Sequence, residues 1–213
     1  MKLSKGRNKS VSDYPEFQKI PRYSREVLIT EKIDGTNGLI QVSDDGLSIR
    51  AGSRTRWITS QDDNYGFAAW VERNKEELLK LGPGNHYGEW WGAGIQRKYG
   101  LKEKKFSLFN VSHWSESRPA CCDVVPLLWR GSMDDISPAI AHCLDLLRGG
   151  SIAAPGFMKP EGIVIYHVAG GYLFKKTLEK DESPKGQVGK SPSYWMKLSK
   201  RPSKFVFDCD KIE

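Results

Sequence analysis

The chain has 213 residues, of which 38% are hydrophobic and 28% charged, a balance suited to one folded domain rather than a disordered segment. No apolar run approaches the roughly 20 residues that a membrane helix needs. The basic start Met1-Lys2-Leu3-Ser4-Lys5-Gly6-Arg7 lacks the apolar centre of a signal peptide, so no membrane partner and a cytoplasmic location are expected. The net charge of +7, from 33 Lys+Arg against 26 Asp+Glu, suits a polyanionic partner without establishing one. Cys121, Cys122, Cys143 and Cys209 show neither a Cys-x-x-Cys pair nor zinc spacing, and the four histidines are scattered, which argues against a structural metal. A hard cation held by carboxylates and phosphates stays open, because Mg²⁺ rarely has a dedicated protein cage.

Residues 1–26 are polar, and Tyr14-Pro15 and Ile20-Pro21 argue against a long helix. An irregular lead-in that packs Phe17 and Ile20 onto the domain is expected. Two β-rich runs follow, Val27–Thr30 and Leu39–Val42, joined by a polar, glycine-bearing turn that carries Lys32, Asp34 and Gly35. A lysine held between apolar strands can lose its proton near neutral pH, and the neutral amine is a nucleophile. The plainer alternative is an exposed turn lysine. Asp44-Asp45-Gly46 then predicts a hairpin to Leu47–Arg50. Arg54 and Arg56, at even spacing, would point the same way in an extended segment.

A helix is predicted from Asp63 or Asn64, with Phe67, Trp70, Val71, Leu78 and Leu81 on its inner face and Gly82-Pro83-Gly84 as its stop. His86–Trp91 reads as a strand with one carboxylate, Glu89, among aromatics; such a group is a satisfied acceptor or a ligand contact, because unpaired burial is costly. Arg97, Lys98, Lys102, Lys104 and Lys105 form a basic run, which is either a polyanion contact or a solvated face. Phe106–Val111 alternates as a strand. Cys121–Leu128 is an apolar run broken by Pro126. A second helix is predicted from Ser137, with Ile140, Cys143, Leu144 and Leu147 inside and Gly149-Gly150 at its end. Pro160–Tyr166 and Tyr172–Thr177 read as two strands about Gly170-Gly171. If odd residues of both strands share a face, Glu161 and Lys175 meet. The remainder is a basic, Pro- and Ser-rich tail carrying Lys185 to Lys204, with a late strand at Phe205-Val206-Phe207.

Several of these residues fall in one order along the chain: Lys32-x-Asp34-Gly35, Ser53-Arg54, Gly88-Glu89, Phe109, Glu161-Gly162 and Lys175. This resembles the covalent nucleotidyltransferase superfamily of DNA ligases, RNA ligases and mRNA capping enzymes. A narrower resemblance, to the RNA ligase branch typified by the second phage T4 RNA ligase, rests on three features. These are Tyr87-Gly88-Glu89-Trp90-Trp91-Gly92-Ala93-Gly94-Ile95-Gln96, Phe106-Ser107-Leu108-Phe109-Asn110-Val111, and Glu31 and Asn37 flanking the Lys32 motif.

The resemblance implies an α+β, ATP-grasp-like nucleotidyltransferase (adenylation) domain, with antiparallel sheets cradling the nucleotide and helices outside. It implies an ATP-dependent RNA ligase that joins 3′-OH and 5′-phosphate ends through a lysyl-AMP intermediate, with Mg²⁺ or Mn²⁺. Its partners would be RNA ends or nicks, with DNA or hybrid duplex as further substrates. Lys32 would attack the α-phosphate, Glu161 would hold the metal, and Lys175 would contact the α-phosphate. Glu31, Asn37, Arg54, Glu89, Phe109 and Lys176 would line the nucleotide, Phe109 by stacking on adenine and Glu89 by accepting from a ribose hydroxyl.

Two features depart from the family pattern. The last motif usually holds two lysines separated by one residue, whereas Lys175 and Lys176 are adjacent and Thr177 takes the second position. Either Lys176 serves through a local irregularity or Lys180 substitutes. The expected organisation is a lead-in over 1–26, the nucleotidyltransferase domain over 27–182 and a basic tail over 183–213 with no OB or helical C-terminal domain. The rival readings are a nucleic-acid-binding module without ligation and a lone adenylyltransferase.

Overall fold

The structure, a computed structural model, describes residues 19–181. The expectations for Phe17, the tail over 183–213 and the Phe205–Phe207 strand lie outside these residues. Ile20, expected to pack inward, is exposed.

Two sheets organise the chain. The first has four strands: β1 (Glu26–Lys32) lies between β8 (Leu127–Ser132) and β9 (Gly162–His167), and β10 (Tyr172–Thr177) pairs with β9 at the edge. The second has six, in the order β4 (Trp57–Ile58), β3 (Ile49–Gly52), β2 (Thr36–Val42), β5 (Gly84–Gly92), β6 (Lys104–Leu108) and β7 (Asp123–Val124). All neighbours are antiparallel except β6 and β7. The fold is α+β with few helices. Among the described residues, no helix is long and apolar enough to cross a membrane.

β1 and β2 flank one short turn, yet they do not pair. Residues 33–35 carry the chain from the first sheet into the second. The core follows from strand alternation, which sends successive side chains to opposite faces. Val27 and Ile29 of β1, with Ile163 and Ile165 of β9, pack against α4 (Ile136–Arg148) through Cys143, Leu144 and Leu147. Ile40, Val42, Trp90, Phe106 and Leu108 of the second sheet pack against α1 (Phe67–Arg73). Between the sheets lie Leu28, Ile33, Trp91, Tyr99 and Val125. The layers therefore run helix, sheet, sheet, helix, and each core cluster is one interface between neighbours.

The hairpins at Asp44–Gly46 and Gly170-Gly171 form as predicted. The first predicted helix is broken into α1, α2 (Lys75–Leu78) and a 3-10 turn over Leu79–Leu81. It breaks at Asn74, whose side-chain amide donates to Trp70 O at 2.8 Å. It starts at Phe67 because Tyr65 and Gly66 have positive φ. Asp63 still serves the helix start, since its carboxylate accepts from Ala68 N and Ala69 N at 2.8 and 3.0 Å. The Phe106–Val111 strand ends at Leu108, and α3 (Val111–Trp114) follows. The second predicted helix starts at Ile136, one residue early, which keeps Pro138 in the first turn where its missing N–H costs nothing.

The β9–β10 register pairs Ile163 with Lys176 and Thr177 with Gly162. Odd residues of one strand therefore oppose even residues of the other, contrary to the face assignment made from sequence. At that contact Gly162 has φ 152°, and a Cβ there would press on Lys176 O and lie 2.7 Å from Thr177 Cα. Gly162→Ala is expected to push β10 off β9 and to cost about 1–3 kcal/mol, the range for overpacking. A thermal melt equal to that of the wild type would show that the strands do not pass this closely.

Candidate active site

Lys32 is the last residue of β1. The alternation that turns Ile29 and Glu31 toward α4 turns Leu28, Thr30 and Lys32 toward the second sheet. The Lys32 side chain keeps 23% of its exposure, and its Nζ donates to Glu161 Oε2 at 2.6 Å. Glu161 itself is 3% exposed and stands just before β9, whose Gly162 is paired with Lys32. The amine and the carboxylate, 129 residues apart in sequence, thus meet because β1 and β9 are neighbours.

The turn after Lys32 is held from several sides. Asp34 Oδ2 accepts from Arg97 Nε at 3.0 Å, and Arg97 Nη1 donates onward to Lys159 O at 2.9 Å. Asp34 N donates to the Tyr99 hydroxyl at 2.8 Å. Gly35 N donates to Glu89 Oε1 at 2.9 Å. Gly35 has no room for a side chain, since a Cβ would press on Trp90 O and lie 2.7 Å from Trp91 Cβ.

Glu89 on β5 stands opposite Asn37 on β2, and Asn37 Nδ2 donates to Glu89 Oε2 at 3.3 Å. Burial pushes the Glu89 carboxyl up to about 7. The Gly35 N–H and the Lys32 charge pull it down, while Glu161 and Asp34 add to the rise. Gly35 N, three residues after Lys32, bonds Glu89 to the turn that carries the amine. Phe109 follows β6 with its ring exposed, tied by its N–H to Tyr87 O at 3.0 Å.

The register also separates the adjacent lysines. Lys175 pairs with Val164, which pairs with Thr30, so Lys175 shares the face of Lys32. Lys176 pairs with Ile163 on the opposite face, and its Nζ bonds Asp181 at 3.1 Å. β10 runs through both without irregularity, so Lys176 is not turned toward Lys32. Thr177 shares the face of Lys32, as the family spacing implied, and Lys180 lies beyond the strand.

Other residues expected at the nucleotide are placed differently. Glu31 is fully buried on the side away from Lys32, where its carboxylate accepts from Ser151 Oγ, Ile152 N and Ala153 N at 2.6, 2.9 and 2.8 Å. Its side chain fixes the loop after α4. Arg54 is exposed in the turn between β3 and β4, while Arg56 pairs with Asp62. The basic run is not a free stripe: Arg97 holds Asp34, Lys104 bonds Tyr65 O at 2.7 Å, and Lys105 lies 3.5 Å from Asp123. Sequence reading missed the positioning roles of Arg97, Tyr99 and Ser151. Each lies more than sixty residues from its partner, and no local signal points to it.

Chemically, the arrangement offers an amine beside a buried carboxylate, a second carboxylate close by and an exposed aromatic ring. Among the described residues, no group of three or more His, Cys, Asp or Glu gathers as a metal cage. Glu161 nonetheless fits a Mg²⁺-type cation, which needs only one or two carboxylates when phosphates complete its shell.

The RNA ligase family profile matches residues 25–177. Among solved structures, a variant of the Naegleria gruberi RNA ligase with ATP and Mn is similar at 21% identity, covering 84% of this chain and 52% of that one, with a TM-score of 0.54. A second variant of that ligase with ATP and Mn is 21% identical over 82% of this chain and 52% of the other, with a TM-score of 0.55. A third, with AMP and Mn, is 21% identical over 73% and 50%, with a TM-score of 0.52. The chain spans about half the length of these ligases, and likeness at this identity is one of fold. No curated protein matches the sequence.

The raised Glu89 carboxyl gives a pH test. Unfolded, it titrates near its ordinary 4.5; folded, near 7. As pH rises between these values the unfolded chain gives up the proton that the folded one keeps, so this residue's contribution to stability falls and stays low above pH 7. Glu89→Gln removes the charge while keeping an acceptor for Gly35 N. Its melting temperature is expected to match the wild type near pH 4.5 and to exceed it by several degrees at pH 8, each kcal/mol being worth about 2–4 °C at this size. A difference that does not vary with pH would place the Glu89 carboxyl at its ordinary value.

Proposed function

The chain belongs to the RNA ligase family, and from that premise we propose that it is an ATP-dependent RNA ligase working through a lysyl-AMP intermediate on Lys32. In this reading the two sheets are those of an ATP-grasp-like nucleotidyltransferase domain. The observation that carries it is the Lys32–Glu161 pair, set where the chain crosses between sheets and flanked by Glu89 and Asn37.

The amine that attacks phosphorus is the neutral form. Glu161 Oε2, 2.6 Å from Lys32 Nζ, orients the amine, whose proton passes to solvent before attack. A bond then forms between Nζ and the α-phosphorus of ATP, the bond from that phosphorus to the bridging oxygen breaks, and pyrophosphate leaves. Lys175, on the same face, offers a fixed charge to the α-phosphate oxygens. A divalent cation, held by Glu161 and the phosphates, would neutralise charge developing on the transferred group. Glu89 and Asn37 orient the ribose, Phe109 stacks on the adenine, and Arg54 meets ribose or phosphate from the β3–β4 turn. AMP then passes to a 5′-phosphate, and a 3′-hydroxyl displaces it to close the strand.

A binding module without catalysis gains nothing from a lysine held against a buried carboxylate, so that pair favours the enzyme. Incubation with labelled ATP and Mg²⁺ is expected to leave label on the denatured wild-type chain, and Lys32→Ala is expected to abolish it with the fold intact. Label persisting on Lys32→Ala would move the nucleophile elsewhere. Label on the wild type with no joining of any RNA ends would favour a lone adenylyltransferase.

Phe109→Ala is expected to weaken ATP binding by about 1–3 kcal/mol, the range for base–aromatic stacking, with Phe109→Tyr restoring much of it. Loss of thermal stability at unchanged ATP affinity would make Phe109 a packing residue instead.

A further inference from the structure

The six-stranded sheet turns one face to the α1 core, and its other face, which carries Glu89 and Asn37, meets the first sheet at Trp91 and is exposed beyond it. On that other face the register lines up a row across the strands: Tyr87 on β5 pairs with Leu39 on β2, Leu39 with Gly52 on β3, and Gly52 with Trp57 on β4. Phe109, bonded by its N–H to Tyr87 O, extends the row at its other end. The neighbouring row on the same face is Glu89 and Asn37. The aromatic row therefore starts at the candidate nucleotide site and runs outward to the sheet edge.

Its rings are partly exposed: Tyr87 is 56% exposed, Trp57 42% and Phe109 40%. Large aromatics on the opposite face of this sheet, Trp90 and Phe106, are buried, as is Trp91 on this face where it meets the first sheet. Gly52 is buried beneath the row, where the Leu39 side chain and the Trp57 ring close over it; a Cβ there would be 3.3 Å from Leu39 Cβ and from Trp57 Cε3. Positive charge accompanies the rings. The Arg50 guanidinium carbon stands 3.9 Å from the centre of the Trp57 ring, and Arg54 is exposed in the adjoining turn. Of the basic run, Arg97, Lys104 and Lys105 are engaged within the fold, while Lys98 and Lys102 are exposed.

We propose that this row is the platform on which a single-stranded RNA end lies, with bases stacked on Tyr87 and Trp57 and the backbone held by the Arg50 charge beside Trp57. Every base has a π-face, so an aromatic row with flanking cations grips a single strand whatever its sequence. Strands lie about 4.8 Å apart, so Tyr87 and Trp57, three strands from each other, span about 14 Å, room for successive unstacked bases. The strand would leave the reacting end at Lys32 and follow the row toward β4. The proposal rests on the ligase reading for the identity of its ligand, and its test is separable from that reading.

The probe is a 5′-phosphorylated 12-nucleotide single-stranded RNA, titrated against the full chain by fluorescence anisotropy. Trp57→Ala and Tyr87→Ala are each expected to weaken binding roughly 5- to 150-fold, the span of one base–aromatic stack. Trp57→Phe should recover most of it and guards against a folding defect. Tyr172→Ala, which removes an exposed aromatic on β10 outside the row, should change nothing. Covalent labelling by ATP is read separately: it tests the ligase reading, while the anisotropy tests the platform. Wild-type affinity in both alanine variants overturns the proposal, as does equal affinity for blunt duplex RNA, whose base faces are hidden. A change in oligomeric state at unchanged RNA affinity also overturns it and makes the row a protein interface.

Discussion

Everything at the site depends on how the chain is held as it passes from one sheet to the other between Lys32 and Thr36. Three residues make the crossing, and each is fixed by a different part of the fold. Ile33 is buried between the sheets. Asp34 is gripped by Arg97, which also reaches the carbonyl of Lys159. Gly35 is pressed against Trp90 and Trp91 and bonded to Glu89. A turn so short can place an amine at the end of one sheet and a carboxylate on the other only if it cannot relax. The cost of burying Glu89 is part of that arrangement, offset by the Gly35 and Asn37 donors and by the nearby charge of Lys32.

Much of the fold was legible because strand and helix periods leave plain marks. The hairpins were announced by Asp-Gly and Gly-Gly, and α4 by Cys143, Leu144 and Leu147 at helical spacing. The break at Asn74 was not, because the apolar stripe continues through it and only the Asn74–Trp70 bond interrupts the helix. That β1 and β2 belong to different sheets could not be read either. Two strands about a glycine turn look like a hairpin in sequence, and only the inter-sheet core, with Ile33 and Tyr99 in it, pulls them apart.

For the candidate residues, motif order gave no direction for their side chains. Lys32, Glu89, Asn37 and Glu161 converge, and Lys175 joins their face. Glu31 and Lys176 point the other way for the same reason: each neighbours a residue on the Lys32 face, and a strand alternates. Arg97 illustrates a different limit. In sequence it belongs to a cluster of like charges, and in space it is the partner of a single carboxylate 63 residues away. Local composition reports charge density, whereas pairing depends on which loops the topology brings together.

The buried bonds of Glu31 have a consequence for motion. Glu31 fastens the start of the loop that leaves α4, at Ser151–Ala153, and its neighbour Lys32 fastens the end of that loop, at Glu161. The loop is thus closed onto two consecutive residues of one strand. Any rocking of one sheet against the other would carry amine, carboxylate and loop together as one body. The bonds that such rocking would stretch are those from the crossing to the second sheet and its loops, Gly35 N to Glu89 and Asp34 to Arg97 and Tyr99. The Lys32–Glu161 pair and its loop therefore belong to the first sheet and the Glu89–Asn37 pair to the second, with Gly35 N as the bond between them.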